Sequence, residues 1–205
     1  MEASRVLRLD PLAPDPEALA QALAALESGY PIIVPTETVY GVACLPDVPG
    51  AVERVYEAKG RPESKPLPRM VADVAAVQRL VTNWPDAADK LAKAFWPGPL
   101  TMILSVEEGT LAFRIPDQPV LLELLRRCKT PLAVTSANVS GGPETQTAEA
   151  ALKSLQGRVT LALDAGPARL GVASTIVDCT KPDCPILREG GLTRQQIAAA
   201  LNSPE

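Results

Sequence analysis

Short apolar runs that are typical of buried β-strands alternate with helical stretches along this chain. The run Ile32–Val34 lies between two prolines. The preceding stretch, residues 15–28, places Leu19, Leu23 and Leu26 on one helical face and is followed by a glycine that ends a helix. This alternation predicts an α/β domain in which helices flank a mixed sheet.

The rest of the chain continues the same alternation. Helices are predicted at 48–58, 73–81, 86–95, 119–127, 148–155 and 193–201, and strands at 67–71, 100–106, 111–115, 132–135, 159–163, 174–178 and 186–188. With 205 residues, 46% of them hydrophobic, the chain is long enough to bury a full core. We therefore expect a single domain over residues 1–205.

The composition excludes several classes of function. A formal net charge of -4 disfavours a protein whose main task is to grip a nucleic-acid backbone. Aromatic residues make up only 3% of the chain, which disfavours base-stacking platforms for single strands. Because the chain has no histidine, Ser-His-Asp catalysis, Cys-His catalysis and histidine-based zinc sites are excluded.

The cysteines and the N-terminus indicate the compartment. The four cysteines lack a Cys-x-x-Cys spacing, so we expect reduced thiols in a cytosolic protein and no metal site. The first residues lack the apolar run of a signal peptide, and no stretch reaches the ~20 apolar residues of a membrane span. We expect a cytoplasmic protein that does not contact a membrane.

The segment from Lys59 to Leu67 concentrates positive charge in a loop. Lys59, Arg61 and Lys65 lie within seven positions, among a glycine and two prolines that exclude a regular helix. Arginine offers a planar fork to phosphate oxygens, and lysine offers a mobile point charge. The segment therefore indicates a small polyphosphate ligand, with an ordinary solvated turn as the alternative.

Three further polar clusters lie at the ends of predicted strands, where open α/β sheets place ligands. They are residues 35–41, residues 135–142, and residues 171–178 together with 187–191. Hydroxyl, amide and glycine residues allow backbone N–H groups to approach an anion. The alternative is that each is a turn whose side chains satisfy their own backbone. No complete Walker loop or dinucleotide fingerprint is present.

Taken together, these clusters resemble the YrdC/TsaC family of threonylcarbamoyl-AMP synthases. The matching segments follow the family's order over about residues 32–191: Pro35–Gly41, Lys59–Pro62, Lys65–Leu67, Trp96–Thr101, Arg114–Pro116, Ser136–Gly141, Ser174–Asp178 and Leu187–Arg188. The chain is similar to the short, single-domain members. Some members carry a histidine near the position of Met70, so any contact made by that histidine is missing or replaced here.

The resemblance implies a twisted open α/β sheet with flanking helices and a concave, positively lined cavity. It also implies a reaction in which L-threonine, bicarbonate and ATP, with Mg²⁺ on the phosphates, give threonylcarbamoyl-adenylate and pyrophosphate. That product feeds threonylcarbamoyladenosine formation in tRNA. Separate proteins make the transfer to tRNA, and whether tRNA contacts this chain is left open.

The resemblance further implies roles for individual residues. Lys59 and Arg61 are the catalytic candidates and, with Lys65, are expected to hold the phosphates. The other residues expected at the ATP site are Thr110, Ser136, Asn138, Glu144 and Arg188. The residues expected to contact L-threonine are Thr36, Thr38, Arg114, Val134 and Ser174.

Two alternatives stay open on the sequence alone. The first is an RNA-binding or ribosome-associated module that uses the basic rim of such a cavity without turnover. The second is a carbamoyl-adenylate-forming domain like that of hydrogenase maturation proteins. Those proteins are usually much longer and contain acylphosphatase and zinc segments, which this sequence does not show.

Overall fold

The computed structural model describes residues 4–203 and forms a mixed α/β fold. Within that range the strands are β1 (Arg5–Arg8), β2 (Ile32–Val34), β3 (Gly41–Cys44), β4 (Arg69–Met70), β5 (Leu100–Val106), β6 (Gly109–Arg114), β7 (Leu132–Ser136), β8 (Leu161–Asp164), β9 (Thr175–Asp178) and β10 (Ile186–Arg188). The helices are α1 (Pro16–Glu27), α2 (Ala51–Lys59), α3 (Val74–Gln78), α4 (Asp86–Phe95), α5 (Pro119–Arg127), α6 (Ala148–Ser154) and α7 (Arg194–Leu201).

The described strands form one open sheet, in the order β1-β8-β2-β3-β7-β4-β6-β5-β9-β10. The pairs β1–β8, β2–β8, β4–β6 and β5–β9 are parallel. The pairs β2–β3, β3–β7, β4–β7, β5–β6 and β9–β10 are antiparallel. The predicted mixed sheet with flanking helices is confirmed.

Two strands of this sheet were not predicted. β3 is buried along its whole length and pairs with β2 on one side and β7 on the other. It lacks the alternation of a half-buried strand because both of its faces are covered. β1 is a short, mostly exposed edge strand whose partner β8 lies far along the sequence. Local patterns do not report pairing over such a distance.

Prolines shorten the predicted strand at 67–71 to the two residues of β4. Pro66 and Pro68 have no backbone N–H to donate to a ladder. The carbonyl of Pro68 still accepts a hydrogen bond from the Val134 amide at 3.0 Å, so the segment follows β7 without forming a longer strand.

Apolar side chains pack on both faces of the sheet. α1 begins at a capping aspartate, Asp15, and buries Leu19, Ala22 and Leu26 in one hydrophobic cluster with β2 and α5. A second cluster joins α4 and α7 to β5 and β9, and a third joins α2 and α6 to β2, β3 and β8. These clusters hold the central strands that carry the polar residues described next.

Candidate functional site

A cavity of about 300 Å³ lies on one face of five neighbouring strands. Successive side chains of a strand point to opposite faces, so residues two apart share a face. The lining follows this spacing: Val134 and Ser136 on β7, Met70 on β4, Ala112 and Arg114 on β6, Thr101 and Ile103 on β5, and Ser174 with Ile176 at the start of β9. The floor of the cavity is therefore built by strand register.

Most of the predicted site residues line this cavity, although they come from separate segments. They are Thr36, Thr38, Arg61, Arg114, Val134, Ser136, Glu144, Ser174 and Arg188. The loop after β2, the loop after α2, the end of β7 and the start of β9 thus meet at one place. Lys59, Lys65, Thr110 and Asn138 are not among the lining residues.

Lys59 was expected in the cationic loop, but it is the last residue of α2 and lies buried behind the cavity wall. Only 1% of its surface is exposed. Its ammonium donates hydrogen bonds to the carbonyl oxygens of Ser136 and of Asn138, the latter at 2.6 Å. Burial, and secondarily the charge of Arg61, lower the pKa of Lys59 to about 8. The two hydrogen bonds from Lys59 hold the loop after β7 against the end of α2.

Asn138 orders the same loop. Its Nδ2 donates to the carbonyls of Val139 at 3.0 Å and Gly142 at 2.7 Å. Its Oδ1 is buried and accepts no hydrogen bond from any residue in the described range. The backbone amide of Ser140 donates to the Lys59 carbonyl at 2.8 Å. This hydrogen bond also connects the loop to the end of α2.

Arg61 and Lys65 take different positions in the cationic loop. The guanidinium of Arg61 donates to the carbonyls of Lys65 at 3.1 Å and Pro66 at 3.2 Å, and this closes the loop on itself. Lys65 is exposed. Thr110 is exposed too, and it continues the row of alternate residues that begins at Arg114 and Ala112 on β6.

Thr36 and Thr38 form a compact turn after β2. Their hydroxyl oxygens lie 2.8 Å apart. The Thr36 hydroxyl donates to the Val39 carbonyl at 2.6 Å and accepts from the amides of Thr38 and Val39. The Thr36 hydroxyl therefore satisfies hydrogen-bonding groups of the local backbone, which is what the alternative of an ordinary turn predicted for this cluster. It also lines the cavity.

Arg114 is paired with a carboxylate that sequence patterns did not single out. Its Nη2 lies 2.7 Å from Oε1 of Glu37, and both side chains are almost fully buried. Its Nε donates to the carbonyl of Gly98 at 3.2 Å. The signal in the sequence was an ionisable residue between the two threonines that follow a buried strand.

Ser174 links three elements at the far side of the cavity. Its hydroxyl lies 2.8 Å from that of Thr101 on β5. Arg188, at the end of β10, donates through Nε and Nη2 to the Ser174 carbonyl at 3.0 and 2.8 Å, and Nη2 also reaches the hydroxyl at 3.2 Å. Thr101 was not predicted as a site residue, although it is a polar residue in an apolar strand.

Residues 4–203 contain neither a cluster of metal ligands nor a membrane-spanning helix. No group of three or more His, Cys, Asp or Glu side chains in that range is arranged to hold a metal ion. No helix there is long and apolar enough to cross a membrane.

Comparison with known proteins identifies the family. Residues 24–190 match the family model Sua5/YciO/YrdC, described as "Telomere recombination". The chain belongs to this family. A relative from Bacillus subtilis named threonylcarbamoyl-AMP synthase is 38% identical over 203 residues, covering 94% of this chain and 59% of the relative. A relative from Mycobacterium tuberculosis named putative threonylcarbamoyl-AMP synthase is 37% identical, covering 91% and 92% of the two chains.

Solved structures show the same family fold. Sua5 from P. abyssi, crystallised with L-threonine, superposes with a TM-score of 0.91 at 32% identity, covering 97% of this chain and 61% of that one. YciO from E. coli superposes with a TM-score of 0.85 at 23% identity, covering 95% and 99%. The chain spans 59% of the B. subtilis relative and 55% of the Pyrococcus abyssi relative. The resemblance to the YrdC/TsaC family is confirmed.

Proposed function

We propose that this chain is a threonylcarbamoyl-AMP synthase, which joins L-threonine, bicarbonate and ATP into threonylcarbamoyl-adenylate and releases pyrophosphate. One observation carries the proposal: a single cavity gathers a buried arginine with hydroxyl groups and a second group of residues from the cationic loop and the loop after β7. The names of the family relatives and the L-threonine in the P. abyssi Sua5 crystals support it.

The amino-acid side of the cavity centres on Arg114. A guanidinium binds a carboxylate through charge-assisted N–H hydrogen bonds, and Nη2 is already enclosed against Glu37, which leaves Nη1 for the substrate. The hydroxyls of Thr38 and Ser174 and the apolar side chain of Val134 lie along the same cavity. We assign these residues to the carboxylate, the polar atoms and the methyl group of L-threonine. Thr36 contributes by holding the turn that carries Thr38.

The nucleotide side centres on the cationic loop. Threonine's amine and bicarbonate form a carbamate, whose carboxylate attacks the α-phosphorus of ATP and displaces pyrophosphate. Negative charge accumulates on phosphate oxygens throughout, so catalysis requires positioning and electrostatic stabilisation. Arg61 supplies charge at the cavity surface, and Lys59 supplies it from behind the Ser136–Asn138 loop. This mechanism requires no histidine.

The remaining predicted residues complete the ATP contacts in this proposal. Ser136, Asn138 and the backbone of their loop hold the adenylate, and Arg188 approaches the nucleotide from β10. Lys65 extends the cationic loop towards the outer phosphates, and Thr110 extends the row on β6 beyond the cavity. Glu144 is the one carboxylate among the residues that line the cavity in the described range, so ATP enters as its Mg²⁺ complex with the ion held mainly by phosphates.

The product suggests the next partner. An acyl-adenylate is an activated mixed anhydride, so we infer a separate acyl-transferring protein that consumes it on tRNA. Direct contact between tRNA and this chain is not required by the proposed reaction. A cytoplasmic location fits these substrates.

Mass spectrometry of the product tests the proposal. Purified protein with L-threonine, ATP and Mg²⁺ is expected to form threonylcarbamoyl-adenylate only when bicarbonate is added. Lys59→Ala and Arg61→Ala are expected to abolish it while circular dichroism remains unchanged. Lys181→Ala, which removes an exposed lysine that does not line the cavity, is the matched control and should retain activity.

Two outcomes would contradict this function. The first is a protein that forms no adenylate but binds RNA with strong salt dependence, as a binding module would. The second is near-normal pyrophosphate release by folded Lys59→Ala or Arg61→Ala.

A further inference from the structure

Glu37 is a buried carboxylate that the proposed reaction does not use directly. It follows β2 in the turn between Thr36 and Thr38, and only 2% of its surface is exposed. Its backbone carbonyl accepts a hydrogen bond from the Leu170 amide at 2.8 Å, which fixes the position of the turn. Its side chain lies against Arg114, with Oε1 at 2.7 Å from Nη2.

The contact between Glu37 and Arg114 is close but poorly aligned. The two carboxylate oxygens of Glu37 accept no hydrogen bond of acceptable geometry from any residue in the described range. Nη2 of Arg114 donates none there either. Glu37 and Arg114 therefore attract each other as charges, but no N–H bond of Nη2 points at a carboxylate oxygen. Buried charges that lack hydrogen bonds are costly, so proteins retain them where they serve a purpose other than stability.

The two partners face different spaces. Arg114 lines the substrate cavity, and Glu37 does not. Glu37 instead lines a neighbouring cavity of about 750 Å³, together with Asp117. The Glu37 carboxylate thus lies on the side of Arg114 that faces away from the substrate cavity.

The protein occupies one edge of the Arg114 guanidinium. The edge formed by Nε and Nη2 faces the Gly98 carbonyl, at 3.2 Å from Nε, and the Glu37 carboxylate, at 2.7 Å from Nη2. A guanidinium is planar and carries its donors in a rigid fork. When this edge is held and Nη2 is enclosed, the direction of the remaining nitrogen, Nη1, is determined.

We propose that Glu37 is a positioning residue that holds the Arg114 guanidinium so that its remaining nitrogen, Nη1, meets the carboxylate of the amino-acid substrate. This inference rests on the proposed function. The charge of Glu37 also balances that of Arg114, which allows the arginine to stay buried before substrate arrives. Removal of that charge leaves Arg114 free to turn away, so threonine binding weakens and the phosphate contacts do not change.

Steady-state kinetics of Glu37→Gln test the proposal, because this change keeps the side-chain volume and removes the charge. We expect KM for L-threonine to rise about tenfold or more, with kcat altered less than about threefold and KM for ATP within about twofold. Glu37→Asp, which restores the charge on a shorter side chain, is expected to recover part of the lost affinity. If Glu37 had a purely structural role, Glu37→Gln would lower thermal stability without raising KM for L-threonine more than KM for ATP.

Asp117→Asn is the matched control. This carboxylate lines the same neighbouring cavity, but it is exposed and pairs with Arg169. The variant is expected to keep both KM values. Glu37→Gln in an Arg114→Lys background is expected to change KM for threonine less than about twofold, because the two residues act as one unit. Additive effects of the two substitutions would overturn the proposal.

Titration calorimetry separates this proposal from the proposed function. L-threonine binding is measured without ATP, and L-threonine amide, which lacks the carboxylate, is the comparison ligand. Weaker threonine binding by folded Glu37→Gln supports the role of Glu37 whether or not the adenylate forms, and unchanged binding overturns it. If Glu37→Gln does not fold, an unchanged threonine affinity in Glu37→Asp also overturns it. Absence of adenylate from the wild type would contradict only the reaction.

Discussion

The ionisation of Lys59 predicts an activity that declines above neutral pH. Burial lowers its pKa from 10.5 to about 8. A group with that pKa is about 90% protonated at pH 7 and about 10% at pH 9, so the charge that the proposed mechanism directs at the phosphates falls about tenfold over this interval. Because kcat/KM reports the free enzyme, kcat/KM for ATP is expected to fall by about the same factor.

The stability of the fold is expected to change in the opposite direction. Between pH 8 and pH 10.5 the folded protein releases the Lys59 proton and the unfolded chain keeps it. The unfolded state then binds more protons, so the free energy of unfolding rises with pH through this window. The lowered pKa of Lys59 contributes on the order of 3 kcal/mol over this window.

Two measurements check this prediction together. Initial rates of pyrophosphate release at low ATP, with threonine and bicarbonate saturating, give the pH profile of kcat/KM. Urea unfolding at the same pH values gives stability relative to Lys59→Met, which cannot titrate at this position. A flat kcat/KM profile to pH 9 in folded protein would refute the reasoning. So would a stability difference from Lys59→Met that does not rise with pH.

Two further predictions concern the backbone that carries the site. In Gly190→Ala the new Cβ would clash with the Ala173 carbonyl and lie 2.8 Å from that of Ser174. We expect a loss of about 1–3 kcal/mol in urea unfolding and a raised KM for threonine, and unchanged values of both would contradict the packing. Thr193→Ala removes the capping box with Gln196 at the exposed start of α7. We expect a loss of about 1 kcal/mol, seen as a melting temperature lower by about 2–4 °C, with unaltered turnover as the check that the site is untouched.

Much of the fold was readable from local patterns. Helix α1 was predicted because its leucines recur on one face and a glycine follows its end, and α5 was predicted because it is amphipathic. β1 and β3 escaped prediction because one is a short edge strand and the other is buried on both faces. In both cases the strand depends on partners distant in sequence, which no local window contains.

The candidate site was also readable in part. Lys59 and Arg61 stood out because three cations lie within seven positions, and Arg114 was assigned to L-threonine through the family resemblance. Glu37 and Thr101 carried weaker signals, since a single polar residue beside an apolar strand has many explanations. The pairing of Glu37 with Arg114 follows from packing between the turn after β2 and the end of β6.

The sequence by itself determined the chemistry available to this protein: no histidine, three cations within seven positions, and hydroxyl and amide clusters at strand ends. Only the tertiary structure decided where those groups act. Strand register places alternate residues of five strands on one face and so builds a cavity, whereas Lys59 lies behind its wall with a lowered pKa. The physical reason is that register and burial depend on hydrogen bonds and packing between residues remote in sequence.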